Sequence, residues 1–428
     1  MEKNKSLLIL ASYYFSFTIP QYVPGLYIVF DRISIQLLFI SVLNLIVFLS
    51  IIKNLEFQDF FKKIKYKIHL ASYFLVILFS AISLFIADNL VEGTIVLTKF
   101  ISFFIAFFLI LYVVFKSEIN FIKYFIYFFI IAIILEVFLI NYLAFDSVIT
   151  DGNLLKRSNV FRGLTGNINI SSFSVAIKIP VIIYLIYKLK NNLKLLLLLS
   201  ILCFAILSIL ILSSRAAIIT VNLVLIISLI YFSLKEKKKS IYKSVLIIIT
   251  VLISTFFYNL INEKNTYNLI EDRFSTITKP YEDNSVSERL GYYKIAIEDI
   301  KNSPLLGVGI GNWKIKSIIR SNDFLVGYRV PYYVHNDFLE VSAESGIFSG
   351  LSYLFFLIFP IIVLLIRLIN KSNNNLSFIP FICLAVFIFD STFNFPMNRL
   401  ITMMNLFFIL TLFYVIEKNK TYKSEKYF

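Results

Sequence analysis

The chain has 428 residues, of which 59% are hydrophobic and only 16% charged, and its mean hydropathy is +0.82. A soluble domain is typically ~45–50% apolar with ~25% charged residues, so this composition excludes a water-soluble globule. The net charge of +15 does not mark a nucleic-acid binder, because the lysines fall in short clusters between apolar runs, where they set membrane topology.

Runs of roughly 18 or more apolar residues read as transmembrane helices, since in lipid a helix satisfies its own backbone polar groups segment by segment. Twelve spans are expected, near 5–21, 33–52, 69–87, 94–115, 121–141, 169–187, 193–212, 215–233, 241–259, 347–369, 376–394 and 398–416. The first, in MEKNKSLLILASYYFSF, has a basic start but no A-x-A-like cleavage site and reads as a retained helix, interrupted by Pro20 and Pro24.

Lysine and arginine counts in short loops give the orientation. Lys3 and Lys5, the cluster from Lys53 to Lys67, Lys116 and Lys123, Lys188 and Lys190, the KEKKK run at 235–239 and the C-terminal lysines from Lys418 to Lys426 all fall on one side. The other side carries Arg32, Arg215 and Arg399, with Lys156, Arg157 and Arg162 in one longer loop. Both termini are therefore expected in the cytoplasm, and the whole of 1–428 as one polytopic inner-membrane domain.

Two hydrophilic stretches are expected outside, 142–168 and 260–346. The second, between spans nine and ten, is shorter than a typical domain of ~100 residues or more and is expected as short helices against the outer membrane face. No internal repeat or broken span is visible, as a transporter would often show. Cys203 and Cys383 lie in apolar runs and suggest neither a disulfide nor a metal site.

The chain has two histidines. His69, after Lys65 and Lys67 at the cytoplasmic start of span three, reads as an interfacial residue. His335, in PYYVHNDFLEVSAESGIFSG, stands near the end of the large outer loop, where a neutral imidazole can take a proton near pH 7. If 335–346 is one helix, His335 shares a face with Leu339, Ser342 and Gly346, while Glu340 and Glu344 point about 140° and about 180° away at ~100° per residue. No local His–Glu dyad follows, and Glu344-Ser345-Gly346 reads as shaping the entry to span ten.

Arg215, Arg289 and Arg399 mark the outer membrane edge. Arginine offers a planar donor fork suited to phosphate oxygens, and several arginines with the only outer histidine would suit a lipid diphosphate. The alternative for each is a snorkelling interfacial side chain. Lys99, Glu136, Lys178 and Asp390 are charges inside spans, expected to pair or to face a polar interior; Asp390 with Arg399 would make an outer ion pair. The glycines of SPLLGVGIGNW lack the spacing of a dinucleotide fingerprint and read as a turn after the amphipathic segment 288–301.

Four stretches together resemble the O-antigen ligase and O-antigen polymerase superfamily of bacterial envelope glycosyltransferases. GLTGNINISS is similar to the family's Gly-x-x-Asn-Pro-Asn segment, matching at Asn167 and Asn169, with Ile168 where proline is usual. SSRAAI resembles the Ser-Arg-Gly/Ala motif, at Arg215. RLGYYKIAIEDIKNSPLLGVGIGNW resembles the Arg-led outer helix with Ser-Pro and glycines, at Arg289. HNDFLEVSAESGIFSG resembles the His-Asn…Glu-x-Gly element, at His335. The likeness covers roughly 160–350 and, by hydropathy alone, the first 150 residues.

The resemblance implies an all-helical membrane fold of GT-C type with a large extracytoplasmic loop between helices nine and ten. It implies an inverting, metal-independent and cofactor-independent transfer at the periplasmic or outer face. The donor would be a glycan on undecaprenyl diphosphate and the acceptor lipid A–core, or a second glycan if the chain is an O-antigen or capsular polymerase. Arg215 and Arg289 would hold the diphosphate and His335 would deprotonate the acceptor hydroxyl, with Arg162, Asn167, Asn169 and Arg399 as further substrate-binding candidates. Transfer to protein hydroxyls, and a precursor transporter or flippase, are the remaining alternatives.

Overall fold

The computed structural model describes residues 2–18, 34–54, 56–117, 119–151, 163–236, 238–262, 284–321, 330–370 and 375–418, and among these there are helices and turns but no strand. The first helices are α1 (Lys3–Tyr14), α2 (Ser34–Ile51), α3 (Phe57–Lys63), α4 (Lys67–Ser83) and α5 (Leu90–Lys116). Next come α6 (Phe121–Asp151), α7 (Ile168–Ala176), α8 (Ile179–Lys188), α9 (Asn192–Leu212), α10 (Arg215–Glu236) and α11 (Lys238–Asn262). The last are α12 (Asn284–Asn302), α13 (Trp313–Arg320), α14 (Asp337–Ser345), α15 (Ile347–Ile369), α16 (Phe378–Phe393) and α17 (Leu400–Lys418).

Among the described residues, ten helical segments are long and apolar enough to cross a membrane, and they correspond to the third through twelfth expected spans. The first two expected spans fall short of that length. Helix α1 has 12 residues before a 3-10 turn at Phe15–Thr18, and the apolar part of α2 is limited to Ile35–Ile51. The outer stretch expected from 142 begins later, because α6 runs on to Asp151. Within the described part of 260–346 lie α12, α13 and α14.

The chain forms two compact units, one from 1–121, 279–371 and 391–422, the other from 122–278, 372–390 and 423–428. In the first, α17 is buried along Leu400–Glu417, and the ring of Phe407 stacks on Phe107 of α5 at 5.1 Å. Polar side chains in this apolar setting are matched to one another, as an anhydrous interior demands. Tyr14 donates to Asn405 Oδ1 at 3.0 Å, Tyr13 donates to Asn44 Oδ1 at 2.8 Å, and Asn44 donates to the Ser102 carbonyl at 2.9 Å.

His69 is not interfacial: it is fully buried in this unit. Pro360 lies inside α15 and has no N–H for the carbonyl four residues back, which belongs to Phe356. The His69 ring fills that gap, with Nε2 2.8 Å from the Phe356 carbonyl and Nδ1 2.7 Å from the Tyr414 hydroxyl. The carbonyl can only accept, so Nε2 carries the proton and Nδ1 accepts from Tyr414. The ring also stacks on Phe356 at 4.7 Å.

In the second unit the sixth expected span, Ile168–Lys188, is wholly buried and is broken between α7 and α8, contrary to the unbroken helix expected. Pro180 sits in the first turn of α8 and cannot donate back to Ala176. Side chains satisfy the break. Lys178 Nζ donates to the Ser174 carbonyl at 2.6 Å and to Glu136 Oε1 at 3.0 Å, and Cys383 Sγ lies 3.1 Å from the Ile177 carbonyl. Lys243 closes the other end of α8, donating to the carbonyls of Tyr187 and Leu189 at 2.7 and 2.8 Å in the manner of a basic C-terminal cap.

Candidate active site

The segment 335–346 is not a single helix. Helix α14 starts at Asp337, with Asn336 as its N-cap accepting from the Leu339 N–H at 3.0 Å, the role in which asparagine is preferred. His335 precedes the cap with φ of 62°. A non-glycine residue there costs roughly 1–2 kcal/mol, so its neighbours must hold it. Tyr293 of α12 donates its hydroxyl to the carbonyls of His335 (3.0 Å) and Thr392 (3.2 Å), and Asn336 Nδ2 donates to Thr392 (3.2 Å).

The imidazole is sandwiched as well as tethered. It lies nearly parallel to Tyr292 at 6.2 Å and meets Phe395 edge-to-face at 5.0 Å. Its Nδ1 is buried without a hydrogen-bond partner among the described residues. Burial, and behind it the positive field of Arg289, push its pKa down to about 3. The imidazole is therefore neutral at physiological pH and, with no anion bound nearby, a weaker base than an exposed histidine. An anion bound at Arg289 would cancel that field and raise the ring's basicity toward the range a general base needs.

Arg289 is placed by the helix that carries the two tyrosines, one turn before Tyr293. Arg399 follows the 3-10 turn Pro396–Asn398, and its guanidinium lies over the Phe395 ring at 5.2 Å, a cation–π contact. The first unit thus gathers His335, Arg289 and Arg399 around Tyr292 and Phe395.

Arg215, Asn167 and Asn169 lie in the second unit. Arg215 is the first residue of α10, after Ser213 in the left-handed region with φ of 50°. Ser214 donates to Asn169 Oδ1 at 3.0 Å, so the SSR and GNIN motifs meet. Asn167 Oδ1 caps α7, accepting from the Asn169 and Ile170 N–H groups at 3.0 and 3.2 Å. Ile168 is consequently the first helical position, the one proline fits best, so its departure from the motif leaves the backbone course intact. Arg162 lies outside the described residues.

The glycine-rich stretch is a turn, with positive φ at Gly307, Gly309 and Gly311. It ties two helix ends together: Val308 N–H donates to the Ala343 carbonyl at 2.8 Å, Gly309 to Glu344 at 3.1 Å, and Ile347 to Pro304 at 2.8 Å. Gly346 has φ of 84°, and a Cβ there would stand 2.0 Å from the Leu305 carbonyl oxygen.

Sequence reasoning missed the polar groups packed behind His335. Glu340 accepts from the Val334 N–H at 2.9 Å and from Asn398 Nδ2 at 2.8 Å, and Lys99 donates to Asn398 Oδ1. Glu344 accepts from the Gly311 N–H at 2.9 Å; burial and the neighbouring Glu340 push its pKa up to about 7. The signal available was Lys99 itself, a lone charge inside an apolar span. Among the described residues, no three His, Cys, Asp or Glu side chains come together as metal ligands.

Residues 195–354 match a family model described as O-antigen ligase. The matched region contains Arg215, Arg289 and His335 and stops short of Arg399. No curated protein matches the chain.

Proposed function

We infer that this chain, which belongs to the O-antigen ligase superfamily through residues 195–354, is a ligase-like glycosyltransferase that moves a polysaccharide from undecaprenyl diphosphate to a sugar of lipid A–core at the outer face of the bacterial inner membrane. The observation that carries this reading is His335, a neutral imidazole held in a costly left-handed conformation beside Arg289. Strain maintained by its surroundings is characteristic of residues whose position matters to chemistry.

In the proposed step the acceptor hydroxyl oxygen attacks the anomeric carbon from the side opposite the diphosphate. A new C–O bond forms, the bond from carbon to the diphosphate oxygen breaks with its electron pair leaving on the phosphate, and the hydroxyl proton passes to the imidazole. A single displacement inverts the anomeric configuration. Arg289 and Arg399 take up the charge on the leaving diphosphate through fork-shaped donor sets, so the step needs no metal. Arg215 is assigned a phosphate-binding role from its motif alone, and Asn167, Asn169 and Arg162 a supporting one. The catalytic face is outside and both termini are cytoplasmic, as the lysine distribution supports.

A knockout complemented with wild type, His335→Ala or Arg215→Ala, with envelope glycans resolved on gels and membrane levels of each variant matched, tests the reading. Lipid A–core without attached polysaccharide in the knockout, rescued by wild type and by neither variant, is the expected result. Single-repeat capping in place of long chains would instead make the chain a polymerase joining one lipid-linked repeat to another. Normal glycans with His335→Ala would remove the base from the mechanism.

A further inference from the structure

A shallow cleft, open to solvent at its mouth, lies in the first unit. Its charged lining comprises Glu92, Glu340 and Glu344 against Lys99 and Lys314. Three carboxyl groups and two ammonium groups do not supply the positive field that a diphosphate requires, whereas Arg289 and Arg399 beside His335 do.

What the cleft does offer is a polar floor under aromatic walls. Glu340 spends two of its carboxylate acceptor sites on Val334 and Asn398, and a carboxylate has about four. Tyr332 is 43% exposed, and Lys314 Nζ steadies its ring from 4.3 Å; Lys314 is itself anchored to Glu92 at 2.6 Å. A flat, weakly polar C–H face beside several hydroxyls is the signature of a sugar ring, and an aromatic face with adjoining charged hydrogen-bond partners is its complement. The cleft lies two aromatic contacts from the base. Tyr333 lines it and stacks on Phe395 at 4.3 Å, and Phe395 meets the His335 ring at 5.0 Å.

We propose that this cleft is the acceptor subsite: a neutral or amino sugar lies with its C–H face against Tyr332 and its hydroxyls on Glu340, and presents one hydroxyl past Tyr333 toward His335. The proposal rests on the glycosyl-transfer reading given above and divides that site into a cationic half for the donor and a mixed-charge half for the acceptor.

The test uses the full chain in lipid nanodiscs and two probes, N-acetylglucosamine followed by saturation-transfer NMR and inorganic pyrophosphate followed by phosphorus NMR. Wild type is expected to bind both. Glu340→Gln should weaken the sugar roughly tenfold or more, the loss expected when a hydrogen bond to a charged group is removed, Tyr332→Ala should weaken it by removing the ring face, and both should leave pyrophosphate binding unchanged. Arg289→Ala should do the reverse. Because Tyr332 is exposed, its variant keeps the test independent of the buried Glu340. Absence of sugar binding to wild type, or binding that survives Tyr332→Ala and Glu340→Gln but is lost with Arg289→Ala, would overturn the acceptor subsite. If sugar binding follows the cleft variants while pyrophosphate binding is indifferent to Arg289→Ala, the donor assignment fails and the subsite stands.

Discussion

Replacing His69 by phenylalanine tests how the first unit tolerates a proline in the middle of an apolar span. The substitution keeps an aromatic ring for the stack on Phe356 at 4.7 Å and removes both ring nitrogens. Tyr414 has a second acceptor, the Tyr66 carbonyl at 3.2 Å, so its hydroxyl is not orphaned. The Phe356 carbonyl is, because Pro360 cannot reach back to it. One buried carbonyl without a donor costs about 1–3 kcal/mol, and we expect His69→Phe to destabilise by about 2 kcal/mol.

The sharper expectation is a rescue. Pro360→Ala supplies the missing backbone N–H, so in the His69→Phe background it should return about 1–2 kcal/mol that it does not give to wild type. Unfolding of the reconstituted chain in mixed micelles, followed through Trp313, its only tryptophan, measures all four corners of the cycle. Residues that do not share a partner give additive effects within about 0.3–0.5 kcal/mol. Additivity between His69→Phe and Pro360→Ala would therefore refute the claim that the imidazole replaces a helix hydrogen bond.

Three further outcomes follow from the same geometry. Arg289→Gln removes a positive charge next to His335, so the His335 pKa should rise from about 3 and the acidic limb of kcat/KM should move to higher pH, with the limb unmoved if the two do not interact. Lys178→Met or Glu136→Gln alone should destabilise by about 3–5 kcal/mol, since each strands a buried partner, whereas the double variant should recover most of the loss; thermal unfolding of the three variants decides. Gly346→Ala should lower expression and stability more sharply than an ordinary surface change, because its Cβ would meet the Leu305 carbonyl oxygen at 2.0 Å and its φ of 84° is strained for alanine; equal melting temperatures would contradict the fixed turn.

The spans from Lys67 onward were legible because their apolar runs are long, and the helical path fixes nothing more demanding than length. The extension of α6 to Asp151 was not, since a helix can continue through polar residues past the apolar run that hydropathy detects. The break at Lys178 was written in Pro180, but an apolar run conceals it, and its repair depends on Glu136, distant in sequence. Among the candidate residues, the motifs singled out His335, Arg289 and Arg215. They gave no warning that His335 stands outside the helix, because Asn336 is as good a cap as it is a loop residue. Tyr292, Tyr293 and Phe395 were unreadable for a plainer reason: among 46 phenylalanines and 26 tyrosines, one that orients an imidazole looks like any that fills space.

The turn at 303–312 is bonded at its far side to the end of α14 and the beginning of α15, with Ile347 N–H on the Pro304 carbonyl and Val308 N–H on that of Ala343. It therefore acts as a strut of set length between the helix bearing Arg289 and the span that follows His335. An inserted or deleted residue in it cannot be absorbed as slack, because every extra residue would displace one of these bonds. Changes in chain length among related sequences should accumulate elsewhere between α11 and α15, leaving this interval as a ruler by which the elements carrying Arg289 and His335 can be aligned.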